Sequence, residues 1–214
     1  MKKNFFLSTV MLLSLALLAT SCDKKKGIEE KKHEIQTVEF LDAASYDSWV
    51  YFNFEKKALV KKAVIAEDMS QDLSWDIAFH RQDIKINCGV SGKGQGGGFE
   101  SELTELKDLK SVQPNFVVDV MGKVLSKFEV NNGEHSMEYS DSGINPALTG
   151  GSKDGKGLGW IDTTHGDRGP KYDINPHIFF VKTANGKTVA IKFTSFKSAE
   201  LKSGHISFQY LFVD

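Results

Sequence analysis

The stretch His177-Ile178-Phe179-Phe180-Val181, followed by Asn185-Gly186 and then Thr188-Val189-Ala190-Ile191-Lys192-Phe193, reads as a β-hairpin. Both apolar runs are rich in β-branched and aromatic residues, and the second alternates between large apolar and other residues, the period of a strand with one face toward a core. Asn-Gly between them accepts the positive φ that a tight turn between antiparallel strands demands.

The same signature recurs on both sides of this hairpin. Ile35 to Phe40, Trp49 to Phe54, Trp75 to Phe79 and Asp83 to Ile86 read as strands, as do Phe116 to Val120, Val124 to Val130 and Ile206 to Phe212. A second Asn-Gly, Asn132-Gly133, follows one of these runs and precedes Met137-Glu138-Tyr139, which predicts a further hairpin. Helix is scarce: residues 100–110 are compatible with about three turns, and residues 43–47 and 198–202 with a single turn each. The pattern predicts an all-β domain over residues 34–214, a single antiparallel sandwich or open barrel with long glycine-rich loops.

Composition narrows the function classes. Of 214 residues 40% are hydrophobic, enough for a packed core. Lys and Arg total 27 against 28 Asp and Glu, so the basic excess expected of a nucleic-acid binder is missing. Two cysteines cannot form a disulfide scaffold, a four-cysteine zinc site or a cysteine-held iron–sulfur cluster.

The N-terminus sets the compartment. Lys2 and Lys3 precede an apolar run from Phe5 to Ala19 that ends in Ala19-Thr20-Ser21-Cys22. Residues 1–21 therefore read as a signal peptide, with small residues giving a lipoprotein signal peptidase access and Cys22 becoming the lipidated, palmitate-type anchor. Residues 22–33 carry that anchor and the charged run Asp23 to Lys32, which cannot bury a face and reads as a solvated tether. Once Cys22 is acylated, Cys88 is left without a disulfide partner and reads as a small buried apolar residue.

Two glycine clusters interrupt the strands, residues 89–98 and 150–159. Gly92-Lys93-Gly94-Gln95-Gly96-Gly97 fits the spacing of a dinucleotide-binding loop, but no alternating β–α–β units follow it, and the phosphate-loop ending Gly-Lys-Ser/Thr is missing. Such density disfavours regular structure. The clusters read as surface loops, lids or places where backbone approaches a ligand closely.

Chemistry concentrates on the histidines. His33 falls in the tether, His80 ends a strand, and His177 and His205 begin strands. His135 and His165 lie in separate loop excursions, one after the Asn132-Gly133 turn and one in Thr163-Thr164-His165-Gly166. Two side chains brought from distant loops can flank a ligand, whether or not a metal sits between them. A zinc-hydrolase H-E-x-x-H pair, a covalent-haem C-x-x-C-H and a G-x-S-x-G nucleophile turn are all missing, so the case for an enzyme is thin.

Ser74-Trp75-Asp76-Ile77-Ala78-Phe79-His80-Arg81 and Asn87-Cys88-Gly89-Val90-Ser91-Gly92-Lys93-Gly94 carry a resemblance, continued by Gly133-Glu134-His135-Ser136-Met137-Glu138-Tyr139, His165-Gly166, Gly169-Pro170 and Ala199-Glu200-Leu201-Lys202. In order and over nearly the whole mature chain, these segments resemble the HmuY family of haem-binding lipoproteins, and Tyr46, Trp49, Tyr51 and Phe52 suit the family's first strands.

The resemblance implies a haemophore-like binding protein and not an enzyme. Its expected ligand is non-covalent haem b, held by His135 and His165 as the two axial ligands of the iron. Met137, two residues beyond His135, is the alternative ligand. The expected partners are host haemoproteins as haem source, a TonB-dependent outer-membrane receptor as acceptor, the membrane through the lipid, and further copies of the chain in a homo-oligomer. The expected location is the outer membrane at the cell surface, with release compatible. The competing expectation is a glycan- or protein-binding surface lipoprotein without haem. Because an imidazole must be neutral to coordinate, haem affinity is expected to fall with pH through the ordinary histidine range, around 6.5.

Overall fold

The computed structural model describes residues 34–213, apart from 108, 110, 111, 154, 155, 158 and 168. The readings of residues 1–21 as signal peptide, of Cys22 as lipidation site and of His33 as part of the tether lie outside the described residues.

Two antiparallel sheets form the body. The first has the order β1 (Gln36–Asp42), β15 (Ser203–Val213), β14 (Thr188–Lys197), β13 (Phe179–Lys182), β6 (Gly97–Glu100). The second has the order β3 (Ala58–Val64), β2 (Ser48–Asn53), β4 (Ile77–His80), β5 (Asp83–Ile86). Strand alternation sends Val189, Ile191, Phe193, Ile206, Phe208 and Tyr210 from the first sheet into one core with Val50, Phe52, Ile77, Phe79, Ile84 and Ile86 from the second. Phe208 touches Phe52, Phe79, Phe193 and Tyr210 with ring centroids 5.6 to 6.0 Å apart. The body is therefore a sandwich, and no closed barrel forms.

Each sheet is also covered on its other face. Trp49, Tyr51, Trp75 and Ala78 pack with Met69 and Val124 outside the second sheet, and Lys85 lies buried there over the rings of Trp49 and Tyr51 at 4.4 and 5.0 Å. Phe180, Ala190 and Leu211 outside the first sheet meet Leu106 and Leu109. The segment carrying these leucines is not the helix expected over residues 100–110. The described residues contain no α-helix: this segment is largely irregular with a turn at Leu106 and Lys107 and a 3₁₀ residue at Leu109, residues 43–47 are irregular, and residues 198–202 hold only a turn at Ala199 and Glu200. Burial of the leucines is satisfied by laying an irregular segment across the outer face of the first sheet. Residues 116–120 likewise give only a single bridge, Gly98 to Val117, before the next strand begins.

The first glycine cluster is a wrapped segment and not a lid. Asn87 is fully buried, donates to the carbonyls of Asp72 and Trp75 at 2.8 and 3.0 Å, and accepts from Gly94 N at 3.0 Å. A Cβ at Gly92, Gly94 or Gly96 would collide with Asn87, so the glycines serve close backbone approach to the chain itself. Contrary to expectation, the end of this cluster is regular, since Gly97 and Gly98 open β6 and pair with Lys182 and Val181.

Two hairpins extend beyond the sandwich. β7 (Val120–Asn131) and β8 (Glu134–Ile144) meet through Asn132-Gly133, with φ of 52° and 84°, so Asn131 pairs with Glu134. β11 (Ile161–Gly166) pairs with β12 (Gly169–Ile174). Between them lies the short ladder of β9 (Ser152–Lys153) and β10 (Lys156–Gly157), within the second glycine cluster. The turn at Asn185-Gly186 forms as expected, with five residues between Lys182 and Thr188 and Gly186 at φ 86°.

Candidate functional site

Both hairpins are clamped at the root and exposed toward the tip. At the root of β7–β8, Asn145 N donates to Ile84 O at 2.7 Å, and Asn145 Nδ2 donates to Asp119 Oδ1 at 3.0 Å. Asp119 Oδ2 accepts from Ile86 N at 2.8 Å. Burial pushes the Asp119 carboxyl up to about 6. The neighbouring Cys88 thiol is pushed up to about 12, again mainly by burial, and is inert, as its reading as an apolar filler predicts. At the root of β11–β12, Trp160 is fully buried, donates from Nε1 to Gln82 O at 2.9 Å and packs 4.6 Å from Phe193. Gln82 Nε2 in turn donates to Thr163 Oγ1 at 2.6 Å.

Strand register then assigns the faces. Val130 pairs with His135, Phe128 with Met137 and Leu125 with Tyr139, so these six side chains share one face of β7–β8. The opposite face is charged, with Lys127 bridging Glu129 and Glu138 at 3.3 and 3.2 Å. The apolar face is largely uncovered: Val130, Met137 and Tyr139 are each more than half exposed, whereas Val124, paired with Ser140 on the opposite face, is buried near the root. In β11–β12, Ile161, Thr163 and His165 share a face with Ile174, Tyr172 and Pro170. That face begins in the core at Ile161, which is fully buried, and ends at the exposed His165.

The two candidate histidines are therefore strand residues, not the loop residues the sequence suggested. His135 is the second residue of β8, and His165 is the last residue but one of β11. Both turns are so tight that the strands run almost to the tips. Met137 lies on the His135 face, as its spacing predicts, and its Sδ accepts from Tyr139 Oη at 3.7 Å.

The remaining described histidines are engaged elsewhere. His80 is buried, with Nε2 donating to Tyr46 O at 2.8 Å and Nδ1 3.3 Å from Asp83. His177 lies 2.8 Å from Glu100, and His205 lies 3.8 Å from Asp42. These three face carboxylates; His135 instead meets Phe128 edge-on at 5.5 Å.

No hydrogen bond or ring contact joins His135 to His165 among the described residues. A line of side chains connects their hairpins instead. Phe128 packs 5.9 Å from Tyr46, the Arg81 guanidinium lies 4.2 Å over Tyr46 and 6.0 Å from Phe196, and Phe196 meets Tyr172 of β12 at 4.8 Å. The sequence had not assigned Phe128 or Tyr172 to the site. Phe128 was within reach, because a two-residue turn at Asn132-Gly133 sets it opposite Met137 once the bulge between Leu125 and Lys127 lies beyond it.

The profile of the HmuY protein family matches residues 45–210. The chain belongs to the HmuY family. Solved structures share its fold. A Bacteroides vulgatus protein described as HmuY-like and heme-binding is 22% identical with a TM-score of 0.64, covering 83% of this chain and 91% of its own. A Bacteroides fragilis protein described as a lipoprotein is 23% identical with a TM-score of 0.64, covering 85% and 92%. The apo HmuY analog of Tannerella forsythia is 22% identical with a TM-score of 0.61, covering 85% and 96%. No curated protein matches the chain. Membership of the HmuY family supports a haem-binding type of function, and proteins of this family are binding proteins, not enzymes.

The site residues fit that ligand class. Porphyrin fills four equatorial positions of its iron and leaves two axial ones, so two imidazoles suffice. A flat macrocycle also needs apolar walls, which the uncovered face of β7–β8 offers.

Proposed function

We propose that this protein is a surface haem carrier that holds non-covalent haem b between its two hairpins, with His135 and His165 as axial ligands. The observation that carries this reading is the pairing of each exposed histidine with the apolar or inward face of its own clamped hairpin. A contiguous exposed apolar face on a soluble domain marks a binding surface. On β7–β8 that face ends in an imidazole that meets no carboxylate among the described residues.

With both axial positions filled by imidazole, the iron is closed to other ligands, which suits transport and opposes oxygen activation. Met137 shares the His135 face and is the replacement ligand if His135 is removed. The hairpin faces would pack on the macrocycle and exclude water.

In the cell the protein would be acylated at Cys22 after removal of residues 1–21. It would sit at the outer membrane and be held off the surface by residues 23–33. It would take haem from host haemoproteins and pass it to a TonB-dependent receptor. Sandwiching the disc between exposed hairpins leaves a ligand edge that a second copy can cover, so loading and self-association would be linked.

Titration of purified protein with haemin tests the reading. A saturable, stoichiometric shift of the Soret band is expected. A spectrum that is the sum of free haemin and free protein would contradict it and favour a protein- or glycan-binding surface. Labelled fatty acid should enter the wild-type chain and not Cys22→Ala; equal incorporation would refute the anchor.

A further inference from the structure

We infer that Arg81 is the counter-ion of a haem propionate, and that it sets which edge of the porphyrin faces the protein body; the inference rests on the haem reading above. Arg81 lies in the two-residue turn between β4 and β5, where His80 pairs with Asp83. It stands where the line of contacts from the His135 hairpin, through Phe128 and Tyr46, meets the line from the His165 hairpin, through Tyr172 and Phe196.

Three observations distinguish it from an ordinary surface arginine. Its backbone has φ of 51°, a left-handed conformation that glycine or asparagine adopts with less strain. An arginine in that conformation points to a need for its side chain. The guanidinium is also fixed: Nη1 donates to Ala44 O at 2.8 Å, the plane rests on Tyr46, and Arg81 N donates to Ala43 O at 2.9 Å. Finally, the half-buried cation faces no carboxylate among the described residues. Of its five N–H groups only two are engaged, the second weakly with Ser203 Oγ at 3.5 Å.

A rigid guanidinium fork with free donors, half out of water, matches a carboxylate in geometry and charge. Haem held by its two axial positions is still free to rotate about that axis. Its two propionates lie on one edge, so a single cation where the two lines of contacts meet would select one orientation. The propionate edge then turns toward Arg81 and the body, and the vinyl edge turns outward.

The test compares haemin with its dimethyl ester, which keeps the macrocycle and iron but removes both carboxylates. Wild-type protein is expected to prefer haemin by roughly ten-fold or more, the worth of a charged hydrogen bond. Arg81→Asn, which suits the left-handed backbone, should bring the two ligands to near-equal affinity. Arg81→Lys, which keeps the charge without the fork, should retain part of the preference and guards against a folding defect in the first variant. An unchanged preference in Arg81→Asn, or equal binding of both ligands by the wild type, overturns the role of Arg81 alone. Failure of the wild type to bind either ligand overturns the haem reading itself.

Discussion

Phe208 and Phe128 are the same side chain used in opposite ways. Phe208 is fully buried between the sheets and touches four aromatic rings. Phe128 is half-buried on a hairpin whose neighbouring apolar residues, Val130 and Met137, stand in solvent. The sandwich closes its apolar surface within the chain, but the β7–β8 hairpin does not, and an apolar face kept open asks for something outside the chain to cover it. A two-stranded hairpin of this length also has little stability of its own. It is held by the polar clamp of Asp119 and Asn145 at its root.

Substitution at the two phenylalanines should therefore separate stability from binding. Phe208→Ala should cost about 3–5 kcal/mol in chemical denaturation, the range for large buried aromatics. Phe128→Ala should cost much less; a loss as large as that at Phe208 would mean that the hairpin face belongs to the core.

The clamp is expected to give the next largest effect, and it is sensitive to pH. Asp119 titrates at about 6 in the folded protein, above its ordinary 3.8, because burial opposes its charge. Its contribution to stability is therefore fully present below about pH 4 and is lost as pH rises through 6. Between pH 4 and 7 the wild type should lose of the order of 1–3 kcal/mol relative to Asp119→Asn. Parallel pH profiles of the melting temperature for the two proteins would show that the clamp carries no such term.

On the hairpin tips the effects should fall on ligand and not on folding. His135→Ala and His165→Ala should each weaken haemin at least about ten-fold in a spectral titration while changing stability by less than about 0.5 kcal/mol, as for other surface substitutions. Smallest of all, Met137→Leu should leave the Soret position unchanged, because its sulfur is a ligand only when His135 is missing. A shifted band in Met137→Leu alone would exchange the roles of the two residues.

The sandwich was readable because its strands alternate strongly: Thr188 to Phe193 and Ile206 to Phe212 send apolar residues to one face by period alone. The hairpin at Asn132-Gly133 was readable from its turn. What escaped had weaker local signals. Ile161-Asp162-Thr163-Thr164-His165-Gly166 holds one large apolar residue, so its strand depends on the partner Gly169–Ile174 and His165 looked like a loop residue. Leu103, Leu106 and Leu109 have a spacing that suits a helix, yet the outer surface of Phe180, Ala190 and Leu211 is covered by a segment without α-helix among its described residues. Gly97-Gly98 pairs in a sheet despite poor strand propensity, because β13 supplies the partner. For the site, family resemblance pointed to the two histidines. The convergence on Arg81, through Tyr46 and Phe196, of the contacts from both hairpins is a tertiary fact that no local pattern contains.

The electronic and spin state of the ferric haemin complex tests the central claim most directly. Coordination by two imidazoles predicts a six-coordinate, low-spin spectrum in the wild type that is lost in both His135→Ala and His165→Ala. A low-spin spectrum unchanged in either variant, or a high-spin, five-coordinate complex in the wild type, would contradict it.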